Sequence, residues 1–163
     1  MAPARIFSDP TVKNFEDFQM GDHVETRGRT IDVGDITHFA GLTGDYYPLH
    51  IDEEYGKASR FGSRIAHGPL TFAIAVGLVG MSGFYGDAIV ALMEIQNLRA
   101  TKPVMAGDTL KVHATVVELA ASHNPKYGKI GVNYSVTNQR GDEVMTFLQI
   151  MMARRAVSKD HSE

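Results

Sequence analysis

Asp45 and His50 put a carboxylate and an imidazole within one short segment, separated by Tyr46-Tyr47-Pro48-Leu49. An imidazole changes charge near neutrality, and a carboxylate beside it can hold a water or share its proton, so the pair suits general acid–base work. Gly44 can take the left-handed conformation that ends a helix, and Pro48 steers Tyr47 toward extended geometry, so the segment from Asp45 to His50 is expected to be a bent, non-helical loop. Downstream, Ile65-Ala66-His67-Gly68-Pro69-Leu70 reads as a helix entrance, with Pro69 in the first turn where its missing N–H costs nothing. The free N–H groups of that entrance favour negative charge, and since Pro69 cannot donate, Gly68 or Leu70 must. Each residue also has a plainer reading. Asp45 could be a turn carboxylate and His50 a half-buried ring with a backbone partner, while His67 is expected to be structural, donating to a backbone group beside the helix start.

The elements that must position these groups follow from pattern. His23 to Ile31 has strand-like content. Asp32 is a good N-cap, with Val33, Ile36, Phe39 and Ala40 at helical spacing and a stop at Gly44. A second short helix should start at Asp52, with Glu53 and Glu54 in its first turn. From Pro69 a helix is apolar nearly all round, which predicts burial on most sides. After Gly86 the segments Ala88 to Leu98, Thr109 to Ala121, Ile130 to Asn138 and Glu143 to Arg154 are of strand length, divided by turn residues, with alternation clearest at Leu110, Val112, Ala114, Val116 and Ile130, Val132, Tyr134, Val136. The expected fold class is α+β: an antiparallel sheet curling around one long central helix, with a helical loop segment overhanging one end.

A chain of 163 residues, 44% hydrophobic and 21% charged, fits one domain over 15–155, flanked by an N-terminal arm (1–14) and a C-terminal tail (156–163). Net charge is −3 with both signs interspersed, so no nucleic-acid partner is expected. The absence of cysteine removes disulfides and thiolate chemistry and agrees with a reducing compartment. No signal-like stretch opens the chain, so a cytoplasmic location is expected. Ile65 to Gly86 carries no Asp, Glu, Lys or Arg, but its continuous apolar part, Leu70 to Met81, is shorter than the ~20 residues of a membrane span, so no membrane partner is expected. The other histidines lack ligand spacing, and no metal is expected.

The order of motifs resembles the MaoC-like hydratases of the hotdog fold, also called the hydratase-2 or (R)-specific enoyl-CoA hydratase family. The likeness rests on Phe39, Thr43-Gly44-Asp45 and Pro48-Leu49-His50. It continues through Asp52-Glu53-Glu54-Tyr55, Phe61-Gly62, Ile65-Ala66-His67-Gly68, Pro103 with Gly107-Asp108-Thr109-Leu110, and Asn138-Gln139-Arg140-Gly141. It covers roughly Phe15 to Arg154, and its most specific part is the pairing of Gly-Asp…Pro-Leu-His with Ile-Ala-His-Gly. The family's asparagine before the proline is Tyr47 here, which leaves the pair intact and bears on the substrate.

The resemblance implies an enoyl-CoA hydratase or 3-hydroxyacyl-CoA dehydratase, with Asp45 and His50 acting on one water and adding it syn to give the (R)-3-hydroxyacyl product. Gly68 is then the donor to the enolate oxygen that develops on the thioester carbonyl. Spacing leaves open which of Asp45 and His50 protonates C2. Neither metal nor redox cofactor is implied; coenzyme A is part of the substrate, and the acyl group is straight, branched or carboxylated. Tyr47, Leu70 and Arg64 are candidates for substrate contact, with Tyr46 and Tyr47 either lining the acyl pocket or merely packing. Lys57, Arg60 and Arg64 could meet coenzyme A phosphates or simply be solvated. The other readings are a hotdog thioesterase and a non-catalytic acyl-CoA-binding subunit. A homodimer or dimer of dimers is expected, since a single wrapped sheet leaves an edge strand free.

Overall fold

The computed structural model of the chain describes residues 12–156. Most of the expected arm and tail, residues 1–11 and 157–163, lies outside the described residues. The elements run β1 (His23–Glu25), β2 (Arg29–Thr30), α1 (Val33–Thr43), α2 (Pro48–Ile51), α3 (Glu53–Ala58), α4 (Gly68–Met81), β3 (Ile89–Ala100), β4 (Thr109–Ala121), β5 (Tyr127–Thr137) and β6 (Glu143–Arg154), after a single 3-10 turn at Phe15–Asp17. The sheet is antiparallel in the order β1-β4-β5-β6-β3, with β2 also on β4. It wraps α4, and α1, α2 and α3 form the overhanging segment. This is the hotdog arrangement that the motif order implied.

The alternation in β4 and β5 does what the sequence predicts. Leu110, Val112, Ala114 and Val116, then Ile130, Val132, Tyr134 and Val136, are all buried on the face toward the helix. Phe72 of α4 meets Phe147 of β6 edge-on at 4.9 Å, and Tyr134 stacks on the same Phe147 at 4.4 Å. The strand expected over His23 to Ile31 is instead two short pieces. Between them the Thr26 hydroxyl accepts the Val112 N–H at 3.0 Å in place of a backbone carbonyl, which interrupts the ladder.

α4 departs from expectation too. Leu70, Thr71, Ile74, Ala75 and Val79 are buried, but Pro69, Ala73, Gly77, Gly80 and Met81 form a face exposed in the single chain. An all-round apolar composition therefore does not mean all-round burial within one copy: the sheet of one chain covers only part of the helix. No helix among the described residues is long and apolar enough to cross a membrane.

The chain around α1 is pinned by a tight set of turns. Gly107, at φ 94°, gives its N–H to Ile31 O at 2.7 Å, and Ile31 N–H returns to Asp108 O at 2.8 Å. The buried Asp108 carboxylate accepts from Met105 N (3.0 Å), Gln139 Nε2 (3.0 Å) and Arg140 Nη1 (2.8 Å). The carboxylate thus joins the turn before β4 to the turn after β5, while the Asp108 backbone carbonyl holds the strand end that leads into α1.

Candidate active site

α1 begins in a reciprocal cap: Asp32 accepts from Asp35 N–H and Asp35 accepts from Asp32 N–H, each at 3.1 Å. It ends at Gly44, at φ 77°, whose N–H reaches Ala40 O at 2.8 Å. Both ends agree with the sequence reading. Asp45 follows directly and is exposed; its Oδ1 accepts the Tyr47 N–H at 3.3 Å in a small side-chain turn. Tyr47 is extended, as Pro48 requires (φ −58°, ψ 133°).

The expectation that the whole segment Asp45 to His50 is non-helical is wrong in its second half. Pro48–Ile51 is a helical turn with Pro48 in its first position. The proline that forbids helix at Tyr47 is itself suited to start one, by the same rule that applies at Pro69. The turn carries His50 back toward the entrance of α4.

There a short extended stretch receives it. Ile65 N–H donates to Leu49 O at 3.2 Å, and the His50 Nδ1–H donates to Ile65 O at 2.8 Å. With Nδ1 committed to a carbonyl, the tautomer leaves Nε2 with a free lone pair, the form a general base needs. Ala66 N–H donates to Val104 O at 2.8 Å, anchoring the stretch from its other side. α3 presses on the same region: a Cβ on Gly56 would lie 2.5 Å from Arg64 N, so only glycine permits this approach.

Asp45, His50 and His67 come together, with one donor atom from each lying within 4.8 Å of the others. A water 2.8 Å from both a carboxylate oxygen and an imidazole nitrogen spans about that distance, so Asp45 and His50 can share one. His67 donates from Nε2 to the Asp45 carbonyl at 3.0 Å, and its ring stacks on His50 at 3.8 Å. A backbone acceptor was expected for His67, but at the helix start rather than 22 residues earlier in the chain. Gly68 and Leu70 give their N–H groups to no acceptor among the described residues, which leaves the entrance of α4 open to a developing negative charge.

The same three residues have the composition of a two-histidine, one-carboxylate metal site. Their rings stack with the planes 26° apart, and each histidine already gives an N–H to a backbone carbonyl, His50 to Ile65 O and His67 to Asp45 O.

The remaining candidates are spread around this centre. Tyr47 is 55% exposed, edge-on to His50 at 6.4 Å, with its hydroxyl 3.4 Å from that of Tyr55. Tyr46 is exposed and Leu70 buried. Arg64 is engaged by Glu53 at 2.7 Å and Lys57 by Glu54 at 2.9 Å. Arg60 lies over the Phe61 ring at 4.7 Å and has no carboxylate partner among the described residues. It lines a cavity of about 230 Å³ together with Phe61, Ala66, Gly68, Thr71 and Lys102. Lys102 was not singled out in the sequence; it sits across a loop with no motif of its own, paired with Asp142.

An antiparallel sheet wrapped around one helix, with α1, α2 and α3 overhanging the start of that helix, defines a hotdog protein. Residues 17–138 match the MaoC like domain, and the chain belongs to that family. It is 33% identical over 131 residues to the 3-hydroxybutyryl-CoA dehydratase of Methylorubrum extorquens, covering 80% of this chain and 77% of that protein. It is 36% identical over 114 residues to Protein MaoC of Klebsiella aerogenes, covering 70% of this chain; the match spans only 33% of that longer protein. The solved MaoC-like dehydratase from Rhodospirillum rubrum superposes with a TM-score of 0.77 at 28% identity, covering 89% of this chain and 99% of that one.

Proposed function

We propose that the chain is a hydro-lyase on acyl-CoA thioesters, converting trans-2-enoyl-CoA and water to (R)-3-hydroxyacyl-CoA or running the reverse reaction. The observation that carries this reading is the Asp45–His50 pair at one-water separation beside the free Gly68 N–H. His50 Nε2 takes a proton as the water oxygen bonds to C3. The C2–C3 π electrons move toward the thioester carbonyl, whose oxygen becomes the enolate oxygen and accepts from Gly68 N–H. Return of a proton from the pair to C2 completes the addition of H and OH. Nothing is oxidised or reduced and the C–S bond stays whole, so the reaction as written asks for neither metal nor redox cofactor. Arg60, without a carboxylate partner among the described residues while Arg64 and Lys57 are paired, is the cation we assign to a coenzyme A phosphate.

Tyr47 replaces a small amide with a ring beside His50, so the acyl pocket gains bulk and apolar surface there. We expect a branched or carboxylated enoyl-CoA to outperform crotonyl-CoA, and Tyr47→Asn to move the ratio of their kcat/KM values toward crotonyl-CoA by about 10-fold or more. A ratio unmoved by the exchange would show that Tyr47 does not face the acyl chain.

The reading includes a homodimer. β3 is an edge strand 12 residues long with Val90, Leu92, Met93 and Leu98 exposed, and α4 presents its uncovered small-residue face. A second copy continuing the sheet at β3 would cover apolar surface that one chain leaves in water. Sedimentation at micromolar concentration should show twice the chain mass, 17.8 kDa per copy; a single-copy species would contradict it.

A further inference from the structure

His67 occupies the N-cap position of α4 but does not cap it. The residues favoured there accept an N–H of the first turn and stabilise the helix. His67 forgoes that. Its side chain is only 1% exposed, its Nε2 is spent on the carbonyl of Asp45, and its Nδ1 is buried without a partner among the described residues. A carbonyl can only accept, so the ring proton sits on Nε2 and the Nδ1 lone pair is bare. A missing cap and an unsatisfied buried nitrogen both count against stability.

What the arrangement supplies is geometry. The Nε2–H fixes the peptide of Asp45, while the same ring lies flat against His50 at 3.8 Å and is backed by Phe39 at 5.1 Å. Two residues earlier, Ile65 O fixes His50 Nδ1. The stretch Ile65-Ala66-His67 therefore grips both groups, His50 through backbone and ring face and Asp45 through one side-chain hydrogen bond. A residue that capped α4 instead would also occupy the Leu70 N–H at the entrance where the enolate oxygen is placed.

We propose that His67 is a positioning residue: a neutral, Nε2-protonated imidazole that sets the spacing between Asp45 and His50 while keeping the first turn of α4 uncapped. This rests on the hydratase reading only in naming what the spacing is for. His67→Phe keeps a flat ring against His50 and loses the bond to Asp45, whereas His67→Gln keeps an N–H donor. With crotonyl-CoA, His67→Phe should lower kcat by about 10²-fold with KM within about threefold, because a misplacement near 1 Å costs about that much. His67→Gln should recover at least about tenfold of the loss. A His67→Phe enzyme with kcat within about threefold of wild type, or a folded His67→Gln no better than His67→Phe, would overturn the proposal. The ring tautomers are read independently of turnover from long-range 15N–1H spectra of the wild-type protein: the proton is expected on Nε2 of His67 and on Nδ1 of His50. A proton on Nδ1 of His67 would overturn the proposal even if the enzyme hydrates crotonyl-CoA, while the expected tautomers in a protein that hydrates no enoyl ester would sink the hydratase reading alone.

Discussion

Asp45→Asn and His50→Ala should each cut turnover of an enoyl-CoA by about 10²–10⁴, the usual contribution of a positioned acid–base group. Their separation lets them hold one water between them, so neither has much use without the other. The double variant should consequently lose little more than the worse single one, as groups that act as a unit do. Losses that multiply would mean two independent roles. Asp45 is exposed and His50 half-buried at the overhanging segment, so both variants should melt near the wild-type temperature and still bind acyl-CoA. Near-normal rates in either single variant would remove the mechanism as described.

The largest stability effect is expected at Asp108. Its carboxylate is 2% exposed and joins the turn before β4 to the turn after β5 through Met105 N–H, Gln139 and Arg140. Asp108→Ala leaves these donors without their acceptor and should cost about 2–3 kcal/mol, as loss of a charged hydrogen-bond partner does. For a chain of this size that lowers Tm by about 5–10 °C. Burial pushes the Asp108 carboxyl up, but the hydrogen bonds from Arg140, Met105 N–H and Gln139 outweigh it and hold it below the ordinary carboxylate value. A depressed folded-state value contributes stability that is fully present above the unfolded range and is lost as pH falls through the folded one. Wild-type Tm should therefore lose Asp108's contribution below about pH 4, and the gap between wild type and Asp108→Ala should narrow there. A gap that stays constant down to about pH 2 would show that the ionised carboxylate is not what holds these turns.

The same positions show what a sequence can and cannot display. Alternation at Leu110, Val112, Ala114 and Val116 is a local consequence of the pleat, and the reciprocal cap at Asp32 and Asp35 and the stop at Gly44 are local as well; all were legible. Motif order also set Asp45 and His50 side by side, and the structure brings the two together with His67. Three things depended on contacts between distant segments. The helical turn at Pro48–Ile51 brings His50 back to Ile65 O, and a proline rule read in one direction hides it. The bond from His67 to the Asp45 carbonyl and its stack on His50 exist only once α2 and the entrance of α4 meet. The pairing of Arg64 with Glu53, which leaves Arg60 without a carboxylate partner among the described residues, is likewise a matter of how α3 folds back. The exposed face of α4 is the remaining case, since composition reports how apolar a helix is and not how many copies cover it.

On the reading proposed above, Asp45 and His50 add water to the double bond of an enoyl thioester without a metal and without breaking the thioester. A single incubation of the protein with crotonyl-CoA, in EDTA, followed at once by enoyl absorbance and by a free-thiol reagent, tests it most directly. Absorbance should fall to a hydration equilibrium while thiol stays at background, and EDTA should change neither. Thiol release matching the absorbance loss would make the protein a thioesterase, and constant absorbance with crotonyl-CoA and with branched or carboxylated enoyl-CoA esters would contradict hydration altogether.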